Sequence, residues 1–197
     1  MSDTTMISSA GEAVYPHLNK PDVRFNEAGE YKVTLKVSKS NASKMIEAFD
    51  NAIEKSISEA KEKNKGKQIK SAPKPYTDEG ENVLFKFKMK ATGQNRKTKE
   101  AYSQRPALFD AKKNPISPST SIWGGSEMKV AYQLVPYYTP MLGAGVSARL
   151  KAVQVLKLVQ GKSGADLFAT EDGFEVAETT NEVNSEETSE VQENSDF

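Results

Sequence analysis

Apolar and polar residues alternate strictly over Tyr31-Lys32-Val33-Thr34-Leu35-Lys36-Val37, with Tyr31, Val33, Leu35 and Val37 on one side and Lys32, Thr34 and Lys36 on the other. A period of two predicts a half-buried strand. The period then changes. Ser40 or Asn41 offers an N-cap, and Ile46, Phe49, Ile53, Ile57 and Ala60 recur every three or four residues, which predicts an amphipathic helix over about 41–62. A lysine-rich, proline-marked loop through Pro73 and Pro75 follows. Alternation returns with Val83, Phe85, Phe87 and Met89 against Leu84, Lys86, Lys88 and Lys90. Gly93 to Arg105 reads as a polar, basic connection, and Ala107 to Asp110 as a short strand turned at Asn114-Pro115. Trp123-Gly124-Gly125-Ser126 leads into a long strand over 127–138, and Gly143 and Gly145 open a last strand over about 146–159. Residues 1–12 are small and polar and read as a flexible leader.

At least five strands and one substantial helix, with frequent turns and no internal repeat, predict a mainly β fold. Antiparallel strands in a domain of this size fit a small barrel rather than a sheet of parallel units. The helix lies between strands, as in an OB-fold, a five-stranded, partly open barrel that often binds oligonucleotides. The expected organisation is an OB-like antiparallel barrel over residues 13–164, followed by an acidic tail over 165–197.

Charge changes the picture of that tail. The whole chain has 27 basic and 27 acidic residues, but Asp166 to Phe197 holds eleven acids and no Lys or Arg. Residues 1–165 therefore carry an excess of eleven positive charges. A segment so charged and so poor in apolar residues is expected to be disordered. A basic body beside an acidic tail points to a polyanionic partner for which the tail can compete. The absence of cysteine excludes disulfides and thiolate metal sites. The apolar runs are strand-sized and the first residues lack the basic and apolar regions of a signal peptide, so no membrane association and a cytoplasmic location are expected.

Period-two geometry puts Lys86, Lys88 and Lys90 on the face opposite the core, as it does Lys32 and Lys36. Lys129, Arg149 and Lys151 take comparable positions on the last two strands, and Arg96, Lys97, Lys99 and Arg105 crowd the connection around Tyr102. Lysines and arginines along a groove neutralise phosphates and release counterions. Aromatic rings among them can stack bases. The candidate stackers are Tyr102, Trp123, Tyr137 and Tyr138, with Tyr102 favoured by its polar and basic neighbours. The expected mechanism is phosphate neutralisation plus stacking, with little sequence preference. No residue in this set separates RNA from DNA.

Other classes match parts of the chain. Pro21-Asp22 and Glu30-Tyr31-Lys32 match the outline of a magnesium nuclease, in which Asp22 and Glu30 hold the metal and Lys32 helps activate water. The gap between the carboxylates is short, however, and Glu-x-Lys recurs at Glu59-Ala60-Lys61. Gly161-Lys162-Ser163 ends like a phosphate-binding loop, but Leu156 stands where that motif needs glycine. The single histidine, His17, supports neither a histidine dyad nor a His-rich metal site. No enzyme activity, metal or cofactor is expected. A scaffold whose basic body pairs with an acidic protein remains the alternative outside catalysis and nucleic-acid binding.

The basic alternating strands, Ile122-Trp123-Gly124-Gly125-Ser126, the Gly-rich entry to a last strand containing Val153-Gln154-Val155, and the terminal Asp196-Phe197 together resemble the phage single-stranded-DNA-binding proteins of replication. The resemblance spans residues 12–197. It implies an OB-fold body that binds single-stranded DNA without a base code in replication, recombination and repair. It also implies an acidic tail ending in Phe that contacts polymerase, helicase–primase or other replication proteins. Here that role would fall to Asp196 and Phe197, with Glu193 beside them. Dimers are common in that family, so the resemblance allows a homodimer.

Overall fold

The computed structural model describes residues 4–24, 26–65, 68–95, 98–161 and Gly173. The chain divides after Gly161, and every described element lies before that point. In chain order these are β1 (Met6–Ile7), β2 (Gly11–Asp22), β3 (Glu30–Ser38), α1 (Lys39–Lys63), β4 (Tyr76–Asp78) and β5 (Asn82–Lys90). Then come β6 (Thr92–Gln94), β7 (Ala101–Ser103), β8 (Ala107–Phe109), β9 (Glu127–Thr139) and β10 (Gly143–Lys157). Apart from Gly173, the expected acidic tail, with Glu193, Asp196 and Phe197, lies outside the described residues, as do Arg96 and Lys97.

Strands β2, β3, β5, β10 and β9 close a ring, each paired with the next and β9 paired back to β2. Four of these junctions are antiparallel, and the β5–β10 junction is parallel through Lys88 and Arg149. This is an OB-like barrel. The β3–β5 ladder sets Val33 opposite Phe87 and Leu35 opposite Phe85, so the two apolar faces read from the sequence meet inside. Phe49 of α1 caps that interior, with its ring 5.3 Å from Phe85 and 5.6 Å from Tyr132. Burying one such side chain contributes roughly 1.5–3 kcal/mol. Burial also pushes the Tyr132 hydroxyl up to about 12.

The helix turns a slightly different side inward than its isoleucines suggest. Ala42, Met45, Phe49, Ile53, Ser56 and Ala60 are buried, while Ile46 and Ile57 are only partly covered. Ser56 is accepted in the interface because its hydroxyl donates to the Gly145 carbonyl at 2.9 Å. The helix begins at Lys39 rather than at the expected cap, and the Lys39 amide is satisfied by the Glu81 carbonyl.

Two stretches differ more. Residues 4–12, expected within a flexible leader, include β1 and the start of β2. Ser8 exchanges hydrogen bonds with Val130, donating its backbone N–H to that carbonyl and accepting the Val130 N–H on its hydroxyl. Polar residues can hold this position because they complete a strand edge instead of filling the core. The basic connection after residue 90 is partly a hairpin, β6 with β7, whose Tyr102 ring lies on Gly93. Among the described residues no helix is long and apolar enough to cross a membrane.

Candidate nucleic-acid interface

Barrel register decides which cations stand together. Lys32 on β3 faces Lys88 on β5, and Lys88 faces Arg149 on β10, making one basic row across three strands. Lys86 lies opposite Thr34, and Lys90 opposite Glu30. Lys86, Lys88, Arg149 and Lys151 are all exposed on this outer wall. Lys88 also lies 3.7 Å from the Glu30 carboxylate.

Beside this wall the second strand breaks its own pattern. Ala13 and Leu18 both point inward although five residues apart, because the β2–β3 register shifts between Val14 and His17. Such a bulge leaves extra residues outside the ladder and re-aims their side chains. Tyr15 sits in it with φ of 48° and 82% exposure. A bulky residue at positive φ is uncommon and strained, and strain of this kind clusters at working sites. The single tryptophan, Trp123, is 54% exposed.

Tyr15 and Trp123 line one cleft of about 860 Å³, between β2 and the segment 118–125. Asn19 holds that segment in place. Its amide nitrogen donates to the Pro118 and Thr120 carbonyls at 3.3 and 2.5 Å, and its oxygen accepts the Ile122 N–H at 3.2 Å. Gly161 packs against the Trp123 indole, and a Cβ there would come within 2.4 Å of the ring.

Tyr15 and His17 also line a second cleft of about 420 Å³, together with Arg24, Lys32, Lys86 and Lys88. The aromatic cleft therefore runs into the basic wall. In the other direction Leu18, Asn19 and Pro118 are shared with a 550 Å³ cleft that contains Arg105. Phe109 links that one to an apolar hollow flanked by Lys113 and Lys129. The four hollows form a chain, each sharing lining residues with the next.

Asp22 is a buried carboxylate bonded to two cations that line the smaller cleft, Arg24 and Lys32. Arg24 grips it through Nε and Nη2 at 3.0 and 2.9 Å, and Lys32 Nζ lies 2.6 Å from Oδ2. The Arg24 hydrogen bonds, then that of Lys32, hold the carboxyl far below the usual carboxylate range. Asp22 and Glu30 do lie opposite each other across β2 and β3. The nuclease alternative nevertheless fails, because two cations occupy Asp22 and Lys88 lies beside Glu30. Among the described residues no cluster of three or more potential metal ligands is present.

The remaining candidates are scattered. Tyr137 and Tyr138 lie beside the last turns of α1, with Ala60 and Lys63, away from the basic row. Tyr102 and Lys99 belong to the β6–β7 hairpin and its turn. Lys129 faces Gln154 at the far end of the chain of hollows. Sequence reasoning missed Tyr15 and Arg24, both in a stretch whose bulge and prolines hide its strand. The available signal was Tyr15-Pro16 itself, an aromatic set beside a residue that ladders tolerate only at edges and bulges.

Comparison with known proteins identifies the family. The family model described as "Single-stranded DNA-binding protein, Bacteriophage T7" matches residues 10–158. The chain is 32% identical over 179 residues to the single-stranded DNA-binding protein of Enterobacteria phage T3, covering 80% of this chain and 77% of the relative. It is 30% identical over 193 residues to that of Escherichia phage T7, covering 87% and 83%. Among solved structures it resembles gp2.5, a single-stranded DNA binding protein encoded by bacteriophage T7, with a TM-score of 0.72 and 28% identity over 88% of this chain and 99% of that one. The chain belongs to the phage T7-type family of single-stranded DNA-binding proteins, a family of binders and not of enzymes.

Proposed function

We propose that single-stranded DNA lies along the chain of hollows, with bases resting on Tyr15 and Trp123 and phosphates on the wall of Lys86, Lys88, Arg149 and Lys151. The observation that carries this reading is the placement of two exposed aromatic rings in one cleft that opens onto a cationic wall. Stacking on an aromatic ring contributes about 1–3 kcal/mol per base and is tolerant of sequence, because every base has a π face. Each neutralised phosphate of a single strand adds about 0.7 to the slope of log affinity against log salt. Arg105 and Lys129 extend the path.

Such a protein would coat and protect single strands in phage replication and recombination, in the host cytoplasm. The acidic tail, with Glu193, Asp196 and Phe197, would both compete for the basic wall and recruit polymerase and helicase–primase. Its eleven acids and lack of cations support the first role. So does the point at which the barrel ends, with Gly161 against Trp123, whose ring lines the aromatic cleft. A basic body that releases an acidic tail when DNA arrives would couple DNA occupancy to partner access.

The lone tryptophan supplies the test. Addition of oligo(dT) should quench Trp123 fluorescence, and Tyr15→Ala and Trp123→Ala should each weaken binding about 5- to 150-fold. Unchanged fluorescence with wild-type affinity in both variants would place the bases elsewhere.

A further inference from the structure

The smaller cleft presents its cations in an unusual way, because two of them are tied to one buried carboxylate. The Asp22 side chain is 4% exposed, whereas those of Arg24 and Lys32 are 66% and 34% exposed. Asp22 Oδ1 accepts hydrogen bonds from Arg24 Nε at 3.0 Å and from the Arg24 backbone N–H at 3.1 Å. Oδ2 accepts from Arg24 Nη2 at 2.9 Å and from Lys32 Nζ at 2.6 Å, with His17 Nε2 4.0 Å away. A fork-to-fork pair of this kind fixes the guanidinium plane as well as its position. We infer that Asp22 is a positioning residue for DNA binding, holding Arg24 and Lys32 as a rigid seat for one backbone phosphate at the junction of the aromatic cleft and the basic wall.

Two cations on one carboxylate leave a trio of net charge +1, which suits a singly charged phosphodiester. Long side chains that are already ordered lose less rotamer freedom when they bind. A phosphate that pulled both cations off Asp22 would leave a buried, uncompensated charge, which is strongly unfavourable. The phosphate therefore joins the cluster instead of displacing its carboxylate. The seat lies in the cleft that Tyr15 and His17 share with the aromatic one, so it would register the sugar–phosphate chain against a base on Tyr15.

This inference rests on the proposed DNA path, and its prediction has the opposite sign to simple electrostatics. Removing a negative charge beside a DNA path should tighten binding if Asp22 only repels. If Asp22 positions the cations, Asp22→Asn should weaken oligo(dT) binding about tenfold at low salt. The log–log salt slope should also fall by about 0.7 for the lost phosphate contact. Arg24→Lys keeps the charge but loses the fork, so it should weaken binding by a similar factor and serves if Asp22→Asn folds poorly by thermal melting. Wild-type or tighter binding by either folded variant, while Lys86→Ala/Lys88→Ala still weakens it, would overturn the positioning role and leave the path standing. Wild-type binding by Lys86→Ala/Lys88→Ala would instead remove the path on which the inference rests.

Discussion

Strands β3 and β5 and their neighbour β2 belong to one barrel but are built on opposite terms. The β3–β5 ladder runs through nine registered pairs without a shift. The β2–β3 ladder has five registered pairs and two shifts. The regular pair divides its residues cleanly, with Val33, Leu35, Phe85 and Phe87 in the core and Lys32, Lys86 and Lys88 outside. The irregular strand puts a tyrosine outside the ladder at positive φ, in the lining of the aromatic cleft. Regularity supplies stability and an even row of charge, and irregularity supplies the shaped surface on which a base can rest.

Each strand can be perturbed separately. On the regular side, Phe85→Ala should cost about 3–5 kcal/mol of stability, read as a fall in denaturant midpoint, because a fully buried ring is replaced by a cavity. A loss below about 1 kcal/mol would mean that the β3–β5 interior is not the organising core. The charged exterior of the same ladder should behave differently. Lys86→Ala/Lys88→Ala should leave the melting temperature nearly unchanged and reduce oligo(dT) affinity about tenfold at low salt, with the log–log slope smaller by about 1.4.

The smallest and most telling effect is expected on the irregular side. Tyr15→Gly removes the positive-φ strain and should raise stability by on the order of 1 kcal/mol while weakening DNA binding. Thermal melting and titration of the same sample would read both signs together. Lower stability in this variant would make Tyr15 a packing residue, and the contrast between the two strands would collapse.

Legibility follows the same division. Residues 31–37 and 83–90 were readable because an unbroken ladder imposes period two on the chain. The helix was readable from its spacing, but not the inward turn of Met45 and Ser56, since Ser56 is buried by a hydrogen bond to Gly145 on a strand 89 residues away. β2 was not readable at all. Pro16 and Pro21 argue against a strand, and the bulge at Tyr15 shifts the phase of everything after it. Trp123 could be marked as a candidate from its glycine neighbours, but its companion Tyr15 lies 108 positions earlier and meets it only across the cleft.

Local alternation settled the barrel class, the position of the helix, the basic outer faces and the separation of an acidic tail from a basic body. Those properties depend on composition and on periodicity within a few residues. Tertiary structure decided which cations share a wall, that Arg24 and Lys32 converge on Asp22, and that Tyr15 rather than Tyr137 or Tyr138 accompanies Trp123. Ring closure, register and a bulge bring distant residues together, and no short-range pattern encodes those long-range pairings.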